Sequence, residues 1–174
     1  MRPDRPLRLV NREHEVRSLT LPEGDEDERL ESAAELVNQS REAKNKALVL
    51  EAFEALFNKR DYTAAEGFWS ADYVQHSAHI APGRDGLFDL IKSLPATLKY
   101  QAGMIVAEGD IVIVHGRFSG FGAPVNWIAA DILRIDGGVM VEHWDVIQDE
   151  ASREQSRSGL PMFGDAFPSE TPVV

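Results

Sequence analysis

The stretch ADILRIDGGVMVEHWDVIQ, residues 130–148, constrains this chain more than any other. Two apolar, β-rich runs flank a Gly-containing turn, yet Asp131, His143 and Asp145 interrupt them. Side chains alternate faces along a strand, so Asp131 sits with Ala129, Leu133 and Ile135, while His143 sits with Asp145 and Ile147. The turn decides which sets meet. A two-residue turn at Asp136-Gly137 would bring Asp131 opposite Glu142. A three-residue loop, Asp136-Gly137-Gly138, brings it opposite His143 and supplies a glycine for the left-handed position. The longer loop also sets Arg134 near Glu142 outside, with Met140 on that outer face, and gathers Leu133, Ile135, Val139 and Val141 inside. The expectation is therefore that Asp131, His143 and Asp145 point inward over an aliphatic floor. Burying them is costly unless they pair, hydrogen-bond or meet a ligand. Either they form a satisfied core network, or they line a pocket in which burial and proximity shift their pKa values.

The remaining sequence frames that hairpin. From Leu98 onward, LKYQAGMIVAEG, DIVIVHGRFSG and VNWIAADILRI read as further strands separated by Gly-containing turns. Before them the pattern is helical. The Ser-x-x-Glu spacing at Ser32 predicts a helix start, and Val49, Ala52, Phe53, Leu56 and Phe57 mark one buried face running to about Asn58. Asp61 can cap a short second helix, ADYVQHS reads as extended, and a third helix carries Leu87, Leu90, Ile91 and Leu94 before Pro95 ends it. Helices followed by an antiparallel meander make an α+β order. Residues 39–165 form the expected domain. Residues 1–38, with Arg2, Arg5, Arg8, Arg12 and Arg17 ahead of an acidic run, read as a partly disordered arm or one that packs on the domain or a partner subunit. Residues 166–174 read as a tail.

Composition narrows the function classes. The 174 residues suit one domain with a substantial core. A formal charge of −11 speaks against a nucleic-acid surface, which needs clustered Lys and Arg. No apolar run is long enough to predict a membrane span or a signal peptide, so no membrane partner and cytoplasmic residence are expected. The absence of cysteine removes disulfides and thiolate metal sites. A small apolar molecule is the expected partner.

Five stretches, YVQHS at 73–77, GRDGL at 83–87, ADILRIDGG at 130–138, VEHWDVIQ at 141–148 and SGLPMFG at 158–164, together resemble the SnoaL-like branch of the nuclear transport factor 2-like superfamily. The resemblance spans roughly residues 42–165. It implies a cone of about three helices on a curved antiparallel sheet with a pocket inside. It also implies membership among polyketide cyclases acting by aldol condensation, isomerases, dehydratases, epoxide hydrolases and non-catalytic binding modules. The aspartate of the family's Asp-x-x-Arg stretch, an acid–base or oxyanion-stabilising group, matches Asp131. The isomerases' proton-abstracting position matches His76. Their phenolic donor on the first helix has no counterpart, since Phe53 and Phe57 stand there.

The expected chemistry is cofactor-independent proton transfer on a small apolar carbonyl compound: aldol-type cyclisation, isomerisation or elimination as in a lyase. His76 would abstract the proton, its ordinary pKa of about 6.5 lying near working pH. Asp131, His143 and Asp145 complete the candidate catalytic set. Asp131 would stabilise the enolate if burial keeps it protonated, and His143 would share its proton. Trp69, Tyr73, His115, Phe118 and Trp127 are the candidate substrate-binding residues. Trp144, Ile132 and Val146, on the outer sheet face, predict a homodimer surface. Two other classes stay open. One is a non-catalytic ligand-binding or assembly module of the same fold. The other is a metal-dependent lyase or hydrolase built on His76 and His79, although the primary expectation includes no metal.

Overall fold

The computed structural model describes residues 26–168. Contacts divide the chain into Met1–Leu36 and Val37–Val174. In the first unit, described from residue 26, the chain is helical; the second contains the sheet and the pocket described below. The expected arm and tail fall largely outside the described residues.

Helix α1 covers Glu26–Phe53 and passes into one π-helical turn, Glu54–Lys59. It starts ahead of Ser32, so the predicted capping spacing lies inside the helix. Arg60 ends the π turn in the left-handed conformation, φ 55°. Its guanidinium donates to the carbonyls of Ile91, Leu94 and Pro95 at the end of another helix. That helix is α3, Gly83–Ser93. Between them lies α2, Tyr62–Glu66, capped as expected by Asp61, whose carboxylate accepts the Ala64 N–H at 3.0 Å.

Five strands form one sheet in the order β1-β5-β4-β3-β2. They are β1 Trp69–Gln75, β2 Lys99–Glu108, β3 Ile111–Ser119, β4 Trp127–Asp136 and β5 Val139–Asp149. The four C-terminal strands form the antiparallel meander, while β1 pairs parallel with β5. No short-range sequence signal could have placed β1, because its partner is some seventy residues away. One sheet face packs under the helices. Val112, Val114, Leu133 and Met140 are at most 1% exposed there. Phe53 and Phe57 cross edge-on at 5.0 Å and meet Tyr100 and Phe118 of the sheet. Trp69 meets Phe88 of α3 at 5.7 Å. Such pairs contribute roughly 0.5–1.5 kcal/mol each beyond area burial. No described helix is long and apolar enough to cross a membrane.

The β4–β5 hairpin departs from the expected loop. Asp136 pairs with Val139, leaving only Gly137 and Gly138 in the turn, with φ 56° and 81°. Two positive φ angles are what a primed hairpin turn requires. Ile135 then pairs with Met140 but Arg134 pairs with Glu142, so Val141 is an extra residue, a β-bulge. A plain two-residue turn would have turned Glu142 and Trp144 inward. The bulge restores the parity that the three-residue loop would have given, but displaced by two residues. Asp131 therefore faces Asp145 and Leu133 faces His143. Met140, placed before the bulge, joins the core instead of the outer face, and Val139 and Val141 are only half-buried. Arg134 does meet Glu142, at 3.0 Å.

Because both turn residues occupy the left-handed region, Gly138→Val is expected to cost about 1–2 kcal/mol. Urea unfolding with an unchanged m-value checks this.

Candidate active site

Between the helices and the inner sheet face lies a pocket with about 670 Å³ of empty space, its open mouth included. The enclosed part of that space is about 70 Å³, room for a few water-sized groups between closely packed walls. Phe53, Phe57, Trp69, Phe118 and Trp127 supply aromatic walls, and Leu133 lies beneath. Its ionisable lining consists of Tyr73, His79, Asp131, His143 and Asp145, with no lysine or arginine.

Asp131 and His143 form the centre. They are 4% and 5% exposed, and His143 Nε2 lies 3.2 Å from Asp131 Oδ1. They meet on a diagonal, not directly across the strands. The other imidazole nitrogen, Nδ1, lies 2.9 Å from Oε1 of Gln75. That oxygen also accepts the Ser77 backbone N–H at 2.8 Å. Asp131 Oδ2 has no hydrogen-bond partner although it is buried. Burial pushes the Asp131 carboxyl well above the usual aspartate range; His143 opposes this by its hydrogen bond and charge, and Asp145 reinforces it. The Tyr73 phenol is likewise pushed upward, chiefly by burial, as is Tyr100, with the Asp131 charge adding to burial. Both remain neutral hydrogen-bond donors across the physiological range. Asp145 stands partly exposed at the pocket.

The structure gathers seven of the nine residues proposed from the sequence: Asp131, His143, Asp145, Trp69, Tyr73, Phe118 and Trp127. His76 is not brought to the pocket. In the parallel β1–β5 pairing Gln75 lies beside His143 and Val74 beside Glu142. The inward side chains near the end of β1 are thus Tyr73, Gln75 and Ser77, and His76 turns outward. Its ring stacks on Trp144 at 4.9 Å, and its Nε2 contacts Glu142 at 2.9 Å. His115 also turns outward, because Val112, Val114 and Phe118 occupy the inner positions of β3; its ring lies against Phe163 at 5.6 Å. His76 and His79 therefore cannot form the metal pair considered from their spacing. His79 instead lines the pocket, its ring 5.7 Å from that of Trp127. Among the described residues no three His, Asp or Glu side chains converge as a metal site. Gln75 was missed from the sequence. The alternation Tyr73, Gln75, Ser77 carries the signal, but only once the facing of β1 is known.

A carboxyl group whose pKa is raised by folding binds its proton more tightly in the native state. Its contribution is fully present below the ordinary aspartate value of 3.8 and is lost as pH rises toward the raised value. Asp131→Asn is therefore expected to flatten the decline of stability above about pH 4 and to raise stability near neutrality. Thermal unfolding across a pH series checks this.

The family model of the SnoaL-like domain matches residues 49–143. No curated protein matches the chain. Among solved structures, AclR of Streptomyces galilaeus, a candidate hydroxylase, is 30% identical with a TM-score of 0.51, covering 61% of this chain and 79% of its own. TsrD of Streptomyces laurentii is 23% identical, TM-score 0.52, covering 61% and 89%. A candidate ketosteroid isomerase of Kribbella flavida is 16% identical, TM-score 0.58, covering 73% and 97%. The last two likenesses carry the fold alone. With helices and sheet arranged as in these structures and more than half of its length matched by the family model, the chain belongs to the SnoaL-like domain family.

Proposed function

We propose that this protein is a cofactor-independent acid–base enzyme acting on a small, neutral, largely apolar carbonyl compound. The reaction is proton transfer beside the carbonyl, leading to aldol-type cyclisation, isomerisation or elimination. The observation that carries this reading is Asp131 Oδ2, a buried carboxyl oxygen without a partner in the wall of an apolar pocket. Leaving such an atom unsatisfied costs roughly 1–3 kcal/mol, a cost a bound substrate would relieve.

Asp131 exchanges a proton with the substrate through Oδ2, and His143 adjusts by moving the proton that it shares with Oδ1. Such a coupled pair both removes and returns a proton at neighbouring carbons, as the three reactions require. The phenol of Tyr73 accepts a long hydrogen bond from Gln75 at 3.5 Å, leaving its own hydrogen for the developing enolate oxygen. It takes the role for which Phe53 and Phe57 are unfit. Asp145 binds a substrate hydroxyl or carries a second proton at the pocket edge. The lack of a lining cation and the presence of two aspartates disfavour carboxylate or phosphate substrates. Each positioned acid or base is worth roughly 10²–10⁴-fold in rate.

A second reading comes from the likeness to AclR. Removing a proton beside a carbonyl leaves a carbanion that dioxygen can attack to give, with one proton, a hydroperoxide; oxygen uptake during turnover would favour this oxygenation.

Substituted naphthols of graded acidity, neutral mimics of an enol, test the site through quenching of Trp69 and Trp127 fluorescence. Affinity is expected to rise with naphthol acidity and to fall roughly tenfold in Asp131→Asn. His76→Ala should bind as the parent does. Equal binding by parent and Asp131→Asn would overturn the proposal.

A further inference from the structure

The acid–base reading names Asp131 and His143 but leaves open what sets the protons on the ring between them. Neutral imidazole has one N–H and one lone pair, and either nitrogen can carry the hydrogen. If Nε2 carried it, His143 would donate to Asp131 and hold that carboxyl ionised. If Nδ1 carries it, Nε2 is a lone pair facing Oδ1, and the contact needs a proton from Asp131. The side chain on the far side of the ring settles this.

That side chain is Gln75, half-buried in β1. Its amide orientation is fixed independently of histidine. Ser77 N–H lies 2.8 Å from Oε1, and a backbone N–H can only donate. Exchanging Oε1 and Nε2 would set two donors against each other. Oε1 is therefore an acceptor, and His143 Nδ1, 2.9 Å away, carries a hydrogen whether the ring is neutral or charged. Through Nε2 the amide also reaches the Tyr73 hydroxyl at 3.5 Å, a weak contact at the limit of hydrogen bonding. One side chain thus touches both groups assigned to proton transfer and enolate binding, while not lining the pocket itself.

We infer that Gln75 is a positioning residue. Its Oε1 holds the His143 hydrogen on Nδ1, so that Nε2 faces Asp131 as an acceptor and Asp131 keeps the proton the pair shares. When Oδ2 takes a proton from substrate, the proton on Oδ1 moves to Nε2. The products are a substrate enolate, a neutral carboxylic acid and an imidazolium whose Nδ1–H already has its acceptor in Gln75. The imidazolium's positive charge balances the enolate's negative one, and the reverse transfer returns the proton to substrate and restores the pair. The catalytic meaning of this lock rests on the acid–base reading; its existence does not.

The test reads the ring nitrogens of His143 in uniformly ¹⁵N-labelled protein at pH 7, assigned by the signal missing from His143→Gln. The parent should show Nδ1 protonated. Gln75→Leu, which removes the acceptor, should release the preference and weaken naphthol binding roughly tenfold, as loss of supporting partners behind a site commonly does. Gln75→Glu keeps the acceptor and adds charge. It should retain the Nδ1 hydrogen and move the ring toward imidazolium. An unprotonated Nδ1 in the parent, or a His143 spectrum unchanged in folded Gln75→Leu, overturns the inference. If Gln75→Leu does not fold, Gln75→Glu decides alone: a ring as neutral as the parent's overturns it. Expected ring spectra together with equal naphthol binding by parent and Asp131→Asn would leave the lock standing and remove the acid–base reading.

Discussion

One extra residue in β5, Val141, decides which side chains the pocket receives. Side-chain facing has a period of two, so a single inserted residue inverts everything beyond it. The Gly137-Gly138 turn by itself would send Glu142 and Trp144 inward and His143 and Asp145 out. With the bulge, His143 and Asp145 join Asp131 inside, and Glu142 meets Arg134 and His76 on the outer face. The pocket's polar wall therefore depends on a local backbone irregularity, as bulges beside functional sites commonly do.

The energetics of that wall differ from those of the surrounding core. A buried aspartate next to a second aspartate is held by a single imidazole contact, and one of its oxygens has nothing to bind. The surrounding aromatic and aliphatic packing carries the stability. The outward histidines differ in kind. His76 stacks on Trp144 and meets Glu142 in solvent, where ion pairs contribute little. Distance from water, more than residue type, separates the histidine assigned to chemistry from those assigned to the surface.

Much of the fold could be read beforehand. The α+β order, the third helix ended by Pro95 and the Asp61 cap follow from local periodicity and turn chemistry; the inward facing of Asp131, His143 and Asp145 is the expected one but arises from the Val141 bulge and not from the three-residue loop that predicted it. The direct cross-strand partner of Asp131 could not be read, because two different turns give the same facing. Met140 was placed outside for the same reason: its side depends on which side of the bulge it lies.

The sequence by itself determined which residue types could do proton chemistry, that His143 and Asp145 share one face of their strand, and that an apolar setting would shift the pKa of any carboxyl buried there. Those properties arise from nearest neighbours and from alternation along one strand. The tertiary structure alone decided that β1 runs parallel beside β5, and with it that Gln75, not His76, reaches His143. A parallel pairing between segments far apart leaves no local trace of its register, and a shift of one residue exchanges the two.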